Sequence, residues 1–305
     1  IKTLEPQELF SQKIYWLNKL SGELPETSLI QDYARPPQYK GKNKAHSFEL
    51  PLYLSQAIIK LTKGSHFLVY IILLSAFKIL LQKYTRNNDL IVGIPVYKNI
   101  DNINLDYLND DKFIPLRTQL LSEITFKNYF NQVRDTVIEA YGHQDYSFDE
   151  LIKVLNLPQS QNRSPIFDIV ILLENIHSEA NLTKLNNDIT ISFTVNNDTI
   201  SGSIEYSDLI YNNDNIQLMS HYYINVIESI INNIDIKISD IDFLNDSDEL
   251  KLLKEYNNKV RDYPITQTIN DLFEQQVDKT PNNIAVVYEK TELTYQELNE
   301  KANQL

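Results

Sequence analysis

The sequence predicts an α/β layer fold built round one sheet, and three observations carry that reading. Helical and strand patterns alternate along residues 1–245. A helix at 66–84 is apolar nearly all the way round, as a central helix is. The stretches 189–195 and 200–206 alternate in polarity across an Asn-Asn-Asp turn, the pattern of an antiparallel hairpin. With 305 residues, 42% of them apolar and 23% charged, the chain can bury a large core.

Each element has its own signal. Phe10, Ile14 and Leu17 at helical spacing predict a helix over 4–20, with Gly22 just beyond its end. A proline-rich loop (Pro25, Pro36, Pro37) leads to a strand at 46–50, then to two helices, 52–63 and 66–84, punctuated by Gly64-Ser65. Asp89 to Val96 reads as a buried strand ending at a proline. After an Asn/Asp-rich loop (97–111) come a strand at 113–121 and a helix to Gly142 that Thr125 can cap. A short helix (148–155), an apolar strand (166–173), the hairpin and an amphipathic helix (214–232) complete the unit. From 257 to 264 the chain is polar, aperiodic and proline-terminated, which is linker chemistry. A helix from Thr268, a hairpin at 284–294 and a helix from Gln296 follow.

Composition excludes several classes of function. Lysine and arginine total 28 against 41 aspartate and glutamate, a net charge of −13, which argues against tracking nucleic-acid phosphates. With no cysteine there is no disulfide scaffold, thiolate metal site or cysteine nucleophile; a reducing, cytoplasmic setting fits. The longest apolar run, Phe67 to Phe77, is too short to span a bilayer, so no membrane role is expected. No secretory signal opens the chain. Beginning at Ile1 without methionine and stopping inside a helix, the sequence reads as a piece of a longer protein.

Phosphate loops, nucleophile elbows and metal-binding helices are missing from the sequence, no metal site is expected, and the five histidines stand singly. Two polar segments stand out. In His143-Gln-Asp-Tyr-Ser-Phe-Asp-Glu150, Asp145 or Ser147 can cap the helix opening at Phe148, and Glu150 can close a capping box with Ser147. In Asn162-Arg-Ser-Pro-Ile-Phe167, Arg163 can pair a carboxylate across a layer or meet a substrate phosphate.

These segments also carry a resemblance. His143, Gln144, Asp145 and Phe148 resemble the His-Gln-Asp-x-Pro-Phe-Glu motif of the condensation domains of non-ribosomal peptide synthetases, with Ser147 in place of the proline. Tyr15-Trp-Leu-x-x-Leu20, Asp32-Tyr-Ala-Arg-Pro36, Asp89-x-x-x-Gly-x-Pro95 and Gly202-Ser-Ile-Glu-Tyr206 resemble further segments of that family, in the right order. Arg163, Ser164, Pro165 and Phe167 resemble its Ser-Arg-Asn-Pro-Leu-Phe element. Leu272-Phe-Glu-x-Gln-Val277, Thr280-Pro281 and the run Leu293, Thr294, Tyr295, Leu298 resemble the opening of an adenylation domain.

The resemblance implies three parts. Residues 1–250 would be the C-terminal lobe of a chloramphenicol-acetyltransferase-like fold, 251–266 a linker, and 267–305 the start of an adenylation domain. It implies amide bond formation between carrier-bound thioesters, with 143–150 and 162–168 beside the tunnel and Arg163 its polar contact. The catalytic His-His-x-x-x-Asp-Gly motif has no counterpart here and would lie upstream, so this piece alone would be inactive. Partners would be the N-terminal lobe, the peptidyl carrier domains on either side with their 4'-phosphopantetheine arms, and the rest of the adenylation domain, which would use ATP and Mg. The family's Gly-x-Phe-Val-Asn-Thr segment is replaced by 107–113, with Lys112 at its asparagine. A non-catalytic docking platform is the alternative.

Overall fold

The computed structural model of the chain describes residues 6–38, 43–97, 113–158, 160, 162–177, 185–244, 267–289 and 291–304. The 97–111 loop beyond Tyr97, the departure at Lys112 and the linker 251–266 therefore lie outside the described residues. Two compact units divide at Asn245 and Asp246.

The first unit is a six-stranded mixed sheet packed with helices. Its elements are α1 (Pro6–Lys19), β1 (Lys44–Glu49), α2 (Leu52–Leu61), α3 (His66–Thr85), β2 (Asp89–Pro95), β3 (Phe113–Gln119), α4 (Phe126–Gly142), α5 (Phe148–Val154), β4 (Ile169–Leu173), β5 (Ile189–Asn196), β6 (Thr199–Tyr206) and α6 (Asn213–Asn232). The strand order is β1-β6-β5-β4-β2-β3. β2, β4 and β5 run parallel to one another, and β3, β6 and β1 are antiparallel to their neighbours.

Local chemistry accounts for these boundaries. Ser65 caps α3 by accepting the Leu68 N–H, and Thr125 caps α4 by accepting that of Asn128. The β5–β6 hairpin turns at Asn197, whose φ of 50° lies in the left-handed region that asparagine tolerates. Every side chain of α3 from Val69 to Leu81 is buried. That helix has the length and composition to cross a bilayer, but here it packs against the sheet and against α4 and α6. Tyr223 of α6 ties this layer together: its ring meets Phe48, Phe77 and Phe193, and its hydroxyl donates to the Leu73 carbonyl at 2.9 Å.

Two expectations are corrected. Ser147 occupies the N-cap position of α5 but makes no capping bond, Asp145 is exposed, and Glu150 pairs with Lys153 at 2.7 Å, so no capping box forms. Strand β4 begins at Ile169 rather than Ile166. Asp168 intervenes, and its buried carboxylate takes hydrogen bonds from a side chain, while Phe167 turns its ring onto the sheet. At Gly93 of β2 an added Cβ would collide with that ring, so glycine is required there.

The second unit holds α7 (Ile269–Lys279), a hairpin of β7 (Ile284–Tyr288) and β8 (Thr291–Thr294), and α8 (Tyr295–Asn303). Both helices open with capping boxes, Thr268 with Asp271 and Thr294 with Glu297. Leu293 pairs with Val286 across the hairpin, and the Tyr295 ring lies 6.2 Å from Phe273. Leu298 lies on α8, and Val287 and Tyr288 are largely exposed.

Candidate functional site

In open α/β sheets ligands sit outside the carboxyl ends of the parallel strands. In the first unit those ends are Pro95 of β2, Leu173 of β4 and Asn196 of β5. There the sheet face turned away from α6 carries a depression of about 460 Å³, lined by Ser47, Glu49, Ser192, Thr194, Ser203 and Glu174 among others. Strand register explains its chemistry. Ser47, Ser203 and Ser192 stand side by side across β1, β6 and β5, and Glu49, Ser201 and Thr194 form the next row. Glu174 accepts from the Thr194 hydroxyl at 2.6 Å. The hydroxyls of Ser47, Ser192, Ser201 and Ser203 have no side-chain hydrogen-bond partner among the described residues, so this surface can donate to and accept from a polar ligand. The signal for it was in the sequence, as Thr190, Ser192, Thr194 and Ser201, Ser203, Glu205 at a spacing of two.

The two motif segments divide between opposite ends of the parallel strands. The His143–Gln144 end lies at the carboxyl side. Gln144 accepts the Tyr97 N–H just past β2 at 3.0 Å. His143 stacks flat on Tyr15 at 3.8 Å, donates from Nδ1 to the Glu139 carbonyl, and its own carbonyl accepts from the Trp16 indole at 2.9 Å. Asp145 faces solvent, and Phe148 is buried 5.4 Å from Phe167. The motif thus joins α1, α4 and the exit of β2.

Arg163 lies at the amino end of β4. It grips Asp168 through Nε and Nη2 at 2.8 and 2.5 Å and reaches Glu26 with Nη1. Carboxylate pairing, one of the two roles open to it, is thus present in the structure. Ser164 is buried and its hydroxyl has no partner among the described residues; Pro165 is half-buried. One strand over, Arg35 holds Asp188, and the Asp188 N–H donates to the Asp168 carbonyl at 2.8 Å. Burial pushes the Asp168 carboxyl up, the Arg163 hydrogen bond opposes that, and the neighbouring Asp188 adds to it. Arg117 binds Asp89 across β2 and β3 and the carbonyls of Ser21 and Glu23. These three arginines strap the loop 21–37 to the sheet.

A family model, the condensation domain, matches residues 2–253. The chain belongs to the condensation-domain family. Among curated relatives, bacitracin synthase 3 of Bacillus licheniformis is 32% identical over 320 residues, covering 99% of this chain and 5% of its own. Gramicidin S synthase 2 of Brevibacillus brevis is 32% identical over 313 residues, covering 96% of this chain and 7% of its own. The chain therefore spans a small fraction of these multidomain synthetases. Among solved structures, the X-domain from teicoplanin biosynthesis in complex with OxyB superposes with a TM-score of 0.68 at 23% identity, over 78% of this chain and 56% of that one. Holo-AB3403, a four-domain non-ribosomal peptide synthetase, gives 0.72 at 17% identity, over 97% and 25%. The mixed α/β fold is thus that of known condensation domains.

Proposed function

We propose that residues 1–250 are the C-terminal lobe of a condensation domain, 251–266 a linker, and 267–305 the start of an adenylation domain in a peptide synthetase elongation module. The observation that carries this reading is the match to multidomain synthetases across 96–99% of the chain, spanning both units. In the reaction, a carrier-bound amine attacks a carrier-bound thioester; the C–N bond forms, the C–S bond breaks, and the thiol leaves with a proton. Two thioesters held head-on make catalysis largely a matter of positioning. The histidine that would handle the amine proton belongs to the other lobe, and this lobe supplies one tunnel wall.

On that wall, the unpaired hydroxyls of the β1–β6–β5 face suit the amide-rich 4'-phosphopantetheine arms of the carrier domains. The segments 143–150 and 162–168 flank it, Arg163 acting through Asp168 and Glu26 on the strapped loop. ATP and Mg would be handled by the remainder of the adenylation domain, and the whole would work in the cytoplasm. A docking platform for carriers or tailoring enzymes is the second reading, favoured by the X-domain relative seen in complex with OxyB.

The test loads donor and acceptor carriers with aminoacyl groups. The complete condensation domain should form dipeptidyl carrier, and residues 1–305 alone should not. Product from 1–305 alone would overturn the two-lobe reading, and none from the complete domain would favour the platform.

A further inference from the structure

His177, just past the end of β4, is fully buried. Its Nδ1 accepts the Leu173 N–H at 2.9 Å, and an imidazole nitrogen that accepts carries no proton. The proton of the neutral ring is therefore on Nε2, which donates to the Tyr141 hydroxyl at 2.6 Å. Burial raises the Tyr141 phenol well above its usual range, so it stays a neutral acceptor. His177 also forms an antiparallel bridge with Tyr97, whose N–H is the one bound by Gln144. The exits of β2 and β4, both beyond the point where these parallel strands pair at Gly93 and Val170, are thus joined to each other and to the end of α4.

We infer that His177 is a positioning residue: through Tyr141 and its bridge to Tyr97 it holds the exits of β2 and β4 in register at the carboxyl end of the parallel strands. The functional part of this inference rests on the condensation reading above, since that end of the sheet borders the proposed tunnel wall. It also makes the clasp sensitive to acid. Protonating His177 places an N–H against the Leu173 N–H, so the ring cannot keep both bonds. Among the described residues, the titratable groups on the ring are phenols: Tyr70 of α3, edge-on at 4.6 Å, and Tyr141 of α4, with Tyr97 paired beside it.

Two measurements test the inference. In the 305-residue chain, Tyr141→Phe keeps the ring and removes the acceptor; hydrogen exchange at the Leu173 and Tyr97 amides should quicken at least tenfold while Ile191 and Ile204 are unchanged. No change at Leu173 and Tyr97 would overturn the clasp whatever the protein catalyses. In the complete condensation domain, Tyr141→Phe and His177→Phe should lower kcat at least tenfold with the carrier KM unchanged. His177→Gln, a donor that does not titrate, should restore kcat and hold it to lower pH than wild type. Variants with wild-type kcat and pH profile would overturn the positioning role. An inactive wild type would sink the condensation reading instead, leaving exchange to judge the clasp.

Discussion

Arg35 grips Asp188 through both terminal nitrogens, at 2.6 and 2.5 Å, across 153 positions of sequence. The Asp188 side chain is wholly buried, and that of Arg35 nearly so. The pair fixes the loop after α1 to the amino end of β5, beside the parallel pair Arg163–Asp168.

Arg35→Ala should therefore cost about 3 kcal/mol, the scale for stranding one member of a buried ion pair. Adding Asp188→Asn should recover part of that loss, because the second change removes the orphaned charge. Urea unfolding of the two single variants and the double variant measures the coupling. Additive losses would show that the pair contributes nothing beyond its separate contacts.

Gly93 and Phe167 make a second coupled pair. Gly93→Ala should destabilise by roughly 3 kcal/mol, since overpacking a full core forces neighbours to move. In a Phe167→Leu background the same change should cost less, the smaller side chain leaving room for the methyl group. Equal cost in both backgrounds would mean that something other than this ring requires glycine.

Lys78 is fully buried on α3, donating to the Leu90 and Leu116 carbonyls at 3.2 and 3.0 Å. Burial pushes its ammonium down to about 7, Asp89 opposing. Between that value and the ordinary lysine range, the unfolded chain binds a proton that the folded chain does not. Its contribution to stability therefore rises with pH across that window and is flat below it. Lys78→Met should stabilise the protein at pH 6 by on the order of 2 kcal/mol. That advantage should shrink as pH climbs from 7 to 10, and unfolding curves at pH 6, 8 and 9.5 check it.

The depression on the open sheet face allows a functional variant with little structural cost. Ser203→Phe places an aromatic ring on a half-exposed strand position, where β-structure accepts it. The unfolding midpoint should stay within a few degrees of wild type. Dipeptidyl-carrier formation by the complete domain should fall at least tenfold. Unchanged turnover would remove this face from the tunnel wall.

Much of the site was legible as residues and little of it as roles. The His143–Gln144 segment and Arg163 stood out as polar runs in apolar surroundings, but a run does not reveal what each group touches. Arg163 read as able to pair a carboxylate or meet a phosphate, and its pairing with Asp168 and Glu26 came only from the folded chain. Asp168 was hidden inside what read as an apolar strand. His177 was one of five scattered histidines, and its partners Tyr141 and Leu173 come from a different helix and a strand end.

What the sequence by itself determined is the set of elements. Period 3.6 and period 2 patterns, caps such as Ser65 and Thr125, and the Asn-Asn-Asp turn act within a few residues, so α3, α4, α6 and the β5–β6 hairpin could be read locally. Tertiary structure alone decided which strands became parallel neighbours and which charges met. Arg35 with Asp188, Arg117 with Ser21 and Glu23, and Tyr141 with His177 are distant in sequence. Their energies come from burial and geometry that exist only once the layers have packed. The same packing turned an alternating run of serines and threonines into one hydroxyl face, because register sets which residues stand side by side.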